Sequence, residues 1–111
     1  MDTGPLVAIL SREDEYHTAC VNALREMPSP LLSCWPVITE AAWLLRNSPR
    51  AVQQLLRSID GVFLELMSLA GTEAEAILAL MKRYEDIHAQ FADVALVYLA
   101  GREKILELMC A

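Results

Sequence analysis

Three carboxylates in this sequence stand where a carboxylate is poorly solvated. Asp2 comes directly before the apolar stretch "TGPLVAIL". Glu40 lies inside "VITEAAWLL". Asp93 falls near the start of "FADVALVYLA", residues 91–100, where the only other polar group is the hydroxyl of Tyr98. Burying an unpaired charge is costly, so such a group must be paired, protonated, bound to a metal or held at a rim. Glu13, Asp14, Glu15, Glu73, Glu75, Glu85 and Asp86 keep charged company instead and read as ordinary solvated-face residues.

Converging carboxylates repel one another unless a cation lies among them. Oxygen-only donors suit hard ions such as Mg²⁺ or Mn²⁺, and such ions assist phosphodiester displacement. Each acid also has a plain structural reading. Asp2 serves as a turn residue, Glu40 as a half-exposed helix acid, and Asp93 as a helix-start carboxylate that complements the helix dipole. Spacing alone leaves both readings open.

Other chemistries find less support. His17 and His88 are too few and too dispersed for a zinc set, and neither has a Ser or Cys arranged for nucleophilic catalysis. Glycines at 4, 61, 71 and 101 make no phosphate loop. Cys20, Cys34 and Cys110 are far apart and read as reduced thiols of a cytoplasmic protein. Arg46, Arg50 and Arg57 fall along the third and fourth helices. Arg46, just past the Glu40 helix, is placed to meet a phosphate, although a solvated helix face explains it equally. Trp35 and Trp43 have aliphatic neighbours and are expected in the core.

The elements that must position these residues can be read from apolar periodicity and from turn residues. A helix is expected over the apolar run of 2–10, with Thr3 as cap and Pro5 in the first turn. The charged "SREDE" leads into a second helix with Ala19, Val21, Ala23, Leu24 and Met27 on its apolar side, stopped by "PSP". "LLSCW", 31–35, reads as a buried strand, followed by a helix opening at Pro36. Ser48 and Pro49 start the next helix, and "GVFLEL", 61–66, is the second strand. A long helix begins at Gly71-Thr72, the Asp93 helix is apolar on all sides and so buried, and "LELMCA" is expected to form a third strand. Strands separated by helices indicate an α/β fold with a parallel sheet. If so, Asp2, Glu40 and Asp93 meet at the carboxyl ends of strands, where such folds bind ligands.

The bulk numbers agree with one compact domain over residues 1–111. Hydrophobic residues make up 55% of the 111, well above what a disordered chain contains. No apolar run reaches the ~20 residues of a membrane span, so no membrane role is expected. The net charge of −6 does not attract nucleic acid by itself, and a polyanionic substrate requires a local basic patch or bound cations.

Taken together, "DTGPLVAIL", "WPVITEAAWLL" and "FADVALVYLA" resemble three stretches of the PIN-domain family, the VapC-like ribonuclease toxins and their relatives, in the family's order and near its spacing. "SREDEYH" resembles the loop after that family's first helix. The resemblance covers nearly the whole chain. It implies a PIN-like three-layer, helix-rich fold with a short parallel sheet, and a Mg²⁺- or Mn²⁺-dependent ribonuclease. RNA is then the substrate, with an antitoxin protein and a second copy of the chain as partners. By position, the metal-binding catalytic acids are Asp2, Glu40 and Asp93, with Thr3 and Gln90 supporting them and Arg46 contacting substrate. There are departures. Gln90 stands where many close relatives have another Asp, and a fourth acid is due about where the chain stops at Ala111. Only Met1 stands where a central strand is due. The resemblance therefore implies an incomplete sheet and a weak nuclease. The alternative is a catalytically impaired binding or assembly module.

Overall fold

The computed structural model describes residues 1–11, 15–26 and 30–103. Helices dominate: α1 (Thr3–Leu10), α2 (His17–Glu26), α3 (Trp35–Leu44), α4 (Pro49–Arg57), α5 (Ala74–Arg83) and α6 (Phe91–Glu103). Two strands, β1 (Leu31–Ser33) and β2 (Leu64–Leu66), pair in parallel with Leu31 opposite Leu64 and Ser33 opposite Leu66. The expected α/β class with a short parallel sheet flanked by helices is therefore present. The third expected strand, "LELMCA", lies outside the described residues.

Local chemistry explains most helix starts. Asp2, rather than Thr3, caps α1: its side chain accepts the Thr3 backbone N–H at 2.7 Å. Thr3 is the first helical residue, and Pro5 fits the first turn, where a missing N–H costs nothing. Ser48 caps α4 as expected, accepting from the Ala51 N–H at 3.3 Å, with Pro49 as the first helical residue. Between α4 and β2 the Asp60 carboxylate accepts the N–H groups of Val62 and Phe63 at 2.8 Å each. Gly61 adopts φ +79° there, a conformation that disfavours any residue with a Cβ.

Several expectations shift, among them the second strand, which begins at Leu64 rather than at residue 61. The first strand ends at Ser33, and Trp35 already begins α3, because Pro36 suits the first helical turn better than a ladder position. The long helix expected from Gly71-Thr72 is divided into a 3₁₀ turn at Gly71–Glu73, α5, and another 3₁₀ turn at Glu85–Ile87. No residue of α2 is fully buried. That helix is tied to α1 by the His17 ring, whose Nδ1 stands 2.7 Å from the Ala8 carbonyl oxygen.

The core joins both strands to α1, α3, α4 and α6. Leu6, Val37, Leu55, Leu64, Val94 and Leu99 are its largest fully buried apolar side chains. α3 packs against both α1 and α6, and small residues at the buried faces, Ala41, Ala92 and Ala95, let helices approach closely. Ser33 is fully buried, yet its hydroxyl donates to the Met1 carbonyl at 2.8 Å. The Met1 amino group donates to the Leu32 carbonyl. Met1 thus lies alongside β1, which sets Asp2 beside that strand's carboxyl end.

Candidate functional site

Each of the three singled-out acids is delivered by a different helix, and each is partly buried. Asp2 is the cap of α1. Glu40 projects from the middle of α3, at the edge of the face that buries Val37, Ile38 and Ala41. Asp93 is in the first turn of α6. Because α3 lies between α1 and α6, the three side chains approach one another.

The electrostatics express this proximity. The Glu40 carboxyl is pushed above its ordinary range, first by loss of solvent and then by the negative charges of Asp93 and Asp2. A hydrogen bond from the Thr3 hydroxyl to Glu40 Oε2, at 3.4 Å, opposes the shift. Asp93 is also raised, by burial first and then by the charge of Asp2. A side-chain hydrogen bond with Asp2 raises it further, while the Gln90 backbone N–H favours the ionised form. Like charges near one another in a half-dry setting disfavour ionisation. A cluster of this kind gains from a cation.

Thr3 and Gln90 both touch the site, but Gln90 does so through its backbone, and its side chain belongs to an exposed residue. Arg46 does not reach the acids. Its guanidinium lies over the Trp43 ring, 4.0 Å from the centroid, and Nη1 donates to the Trp43 carbonyl at 2.9 Å. The tryptophans overturn their assignment to the core: Trp35 is 57% and Trp43 63% exposed. Aliphatic neighbours in sequence misled here, because on α3 the buried positions fall on the opposite side. Phe91, at the start of the helix expected to be apolar and buried on all sides, is also exposed.

A feature with no signal in the sequence is a cavity of about 400 Å³ that Asp93 helps to line, with Tyr84, Ile87, His88 and Val97 among its walls. It owes its shape to the 3₁₀ turn at Glu85–Ile87 and to His88, which adopts φ 54°. That left-handed conformation is uncommon for a residue with a side chain.

The donor set suits a hydrated hard cation. Its atoms are carboxylate oxygens from Asp2, Glu40 and Asp93, and their mutual repulsion is what such an ion relieves. Among the described residues, no three His, Cys, Asp or Glu side chains close directly around a metal position. Mg²⁺ usually keeps several waters and is bound through one or two carboxylates, a lower demand than three ligands closing directly on the ion.

Cys34 is buried and unpaired, and burial pushes its thiol up; Cys20 is half-buried and unpaired as well. Cys110 lies outside the described residues. Among the described residues no helix is long and apolar enough to cross a membrane. No known protein-family model matches the chain, and no curated protein matches it in sequence.

Proposed function

We propose that the chain is a divalent-metal-dependent ribonuclease of the PIN type, with Asp2, Glu40 and Asp93 as its metal-binding acids. The observation that carries this reading is the meeting of three carboxylates from three helices, with Glu40 raised by burial and then by the charges of Asp93 and Asp2, and Asp93 by burial and then by Asp2. A purely structural role would favour acids matched to donors or cations, as buried charges otherwise cost stability.

When bound, Mg²⁺ or Mn²⁺ supplies positive charge that makes water acidic and offsets the charge of the reacting phosphate. The chain's own residues do the rest. Asp2 and Asp93, fixed at two helix starts, would hold the ion. Glu40, oriented by the Thr3 hydroxyl, would complete the anionic set or hold a water of the ion. The apolar faces of α3 and α6 exclude bulk water behind the carboxylates and strengthen every charge interaction in front of them. Cytoplasmic RNA as substrate, an antitoxin protein as restraint and a homodimer as assembly belong to the same proposal.

The test is cleavage of a single-stranded RNA in Mn²⁺ by the full chain. Slow cleavage that stops on chelation and is lost in Asp93→Asn and in Glu40→Gln supports the reading. Cleavage unchanged in both variants would place the chemistry elsewhere.

A further inference from the structure

Both tryptophans of the sequence lie on α3, and neither takes part in the core. Trp35, Thr39 and Trp43 recur every fourth residue and are all exposed, so they form one stripe along the helix. The stripe faces away from Val37, Ile38 and Ala41, which are buried. The two indole-bearing positions stand about 12 Å apart along the axis at 1.5 Å per residue. Glu40 falls between them along that axis, at the border of the stripe.

The charge of the sequence that runs on from this stripe differs from that of the rest of the chain. From residue 41 to residue 59 the chain carries Arg46, Arg50 and Arg57 and no acid, although the whole chain has a net charge of −6. Arg46 is already stacked on Trp43, 4.0 Å from the ring centroid, and its Nη1 is anchored to the Trp43 carbonyl. This contact fixes the indole and places a cation against it, while 63% of the residue remains open to solvent.

From these features we infer that the exposed face of α3 is a track for single-stranded RNA, with bases stacking on Trp35 and Trp43 and the backbone passing Glu40. The naming of RNA as the polymer rests on the ribonuclease reading; the track rests on the aromatic stripe and its basic flank. Exposed aromatic rings and arginine planes bind unpaired bases because every base has a π-face. Paired bases are buried in their own stack and offer no such face, so a duplex is a poor occupant. A partner protein would also cover an aromatic stripe, but the Arg46 guanidinium on Trp43 and the acid-free segment that runs on from it favour a polyanion. A strand bound in this way would pass the carboxylate cluster, so the track would also select the substrate.

Because Trp35 and Trp43 are the only tryptophans, fluorescence excited at the red edge, where tyrosine does not absorb, reports on them alone. A 12-nucleotide oligouridylate titrated into the full chain in EDTA should quench it, and an RNA duplex of equal length should not. Trp35→Ala and Trp43→Ala should each weaken binding roughly tenfold, and Trp43→Phe should restore most of it. Arg46→Gln should lower the slope of log affinity against log salt by about one. Glu40→Gln should bind at least as well, since a negative charge beside the track is gone. Retained binding without metal-dependent cleavage would remove the ribonuclease reading and leave the track. Cleavage without quenching, equal quenching by the duplex, or tryptophan emission that shifts only with protein concentration would overturn the track, the last of these in favour of a contact between copies of the chain.

Discussion

Two clusters of acids occupy this small molecule, and they obey opposite rules. At Glu73 the carboxylate is surrounded by donors. The Ala70 N–H lies 2.8 Å from Oε1, the Tyr98 hydroxyl 2.5 Å from Oε2 and Arg102 Nη1 2.8 Å from Oε2. Those partners hold its proton affinity well below the ordinary 4.5, at about 2. At Glu40 and Asp93 the charges that shift the carboxyl are those of other carboxylates, and both groups are pushed the other way. The first arrangement joins the turn before α5 to α6 and is complete in itself. The second is an arrangement of acids that repel one another, and repulsion kept in a folded protein points to something that relieves it.

The comparison can be broken most sharply by activity. Asp93→Asn and Glu40→Gln should lower Mn²⁺-dependent cleavage on the order of 100-fold or more, since even residues that only orient metal ligands cost 10–100-fold. Glu73→Gln should leave the rate per folded molecule unchanged. Equal losses in all three variants would erase the distinction between the clusters.

Metal linkage comes next in size. A ligand that binds only the folded state adds about 2.7 kcal/mol at 100 times its Kd, which in a domain of this size raises the melting temperature on the order of 10 °C. Mn²⁺ should do this for the native chain and for Glu73→Gln, and not for Asp93→Asn. A rise that persists in Asp93→Asn would place the ion elsewhere.

Stability against pH separates the clusters by sign. Asp93 and Glu40 are raised in the fold, so their favourable contribution is complete below their ordinary values of 3.8 and 4.5 and fades as pH rises through the raised ones. At pH 7 without metal, Asp93→Asn should therefore stabilise the chain, by at most about 1 kcal/mol once solvent screening is allowed for. Glu73 is lowered to about 2, so its contribution is present above 4.5 and is lost as pH falls through about 2. Glu73→Gln should destabilise at pH 7 and differ little from the native chain near pH 2. Thermal melts across this range check both signs.

The smallest effect sharpens the picture of Glu40. The Thr3 hydroxyl is the one donor among the causes that shift its carboxyl, at 3.4 Å. Thr3→Val should move the acid limb of the pH–rate profile upward. An unmoved limb would show that this long contact contributes nothing.

Much of this was legible in the residues. The Ser48-Pro49 start of α4, the parallel pairing of two strands and the unusual settings of Asp2, Glu40 and Asp93 followed from turn chemistry, from alternation of strand and helix, and from apolar neighbours. Other features were not legible, because neighbours in sequence are not neighbours in space. Trp35 and Trp43 were assigned to the core from adjacent aliphatic residues, yet helical geometry turns them outward while Val37 and Ala41 turn in. Glu73 resembled any surface acid until the fold brought Tyr98 and Arg102 to it across 25 and 29 residues of chain.

The sequence by itself determined which segments coil, that α4 begins at Ser48-Pro49, and that three acids had to be accounted for. These are local matters of propensity, capping and hydrophobic pattern. Only the tertiary structure decided that α3 packs between α1 and α6, and with it that Asp2, Glu40 and Asp93 lie within reach of one another's charge while the indoles face solvent. Proton affinity and exposure depend on what is close in space. That is set when apolar faces such as those of Leu6, Val37 and Leu99 choose their partners and leave the water.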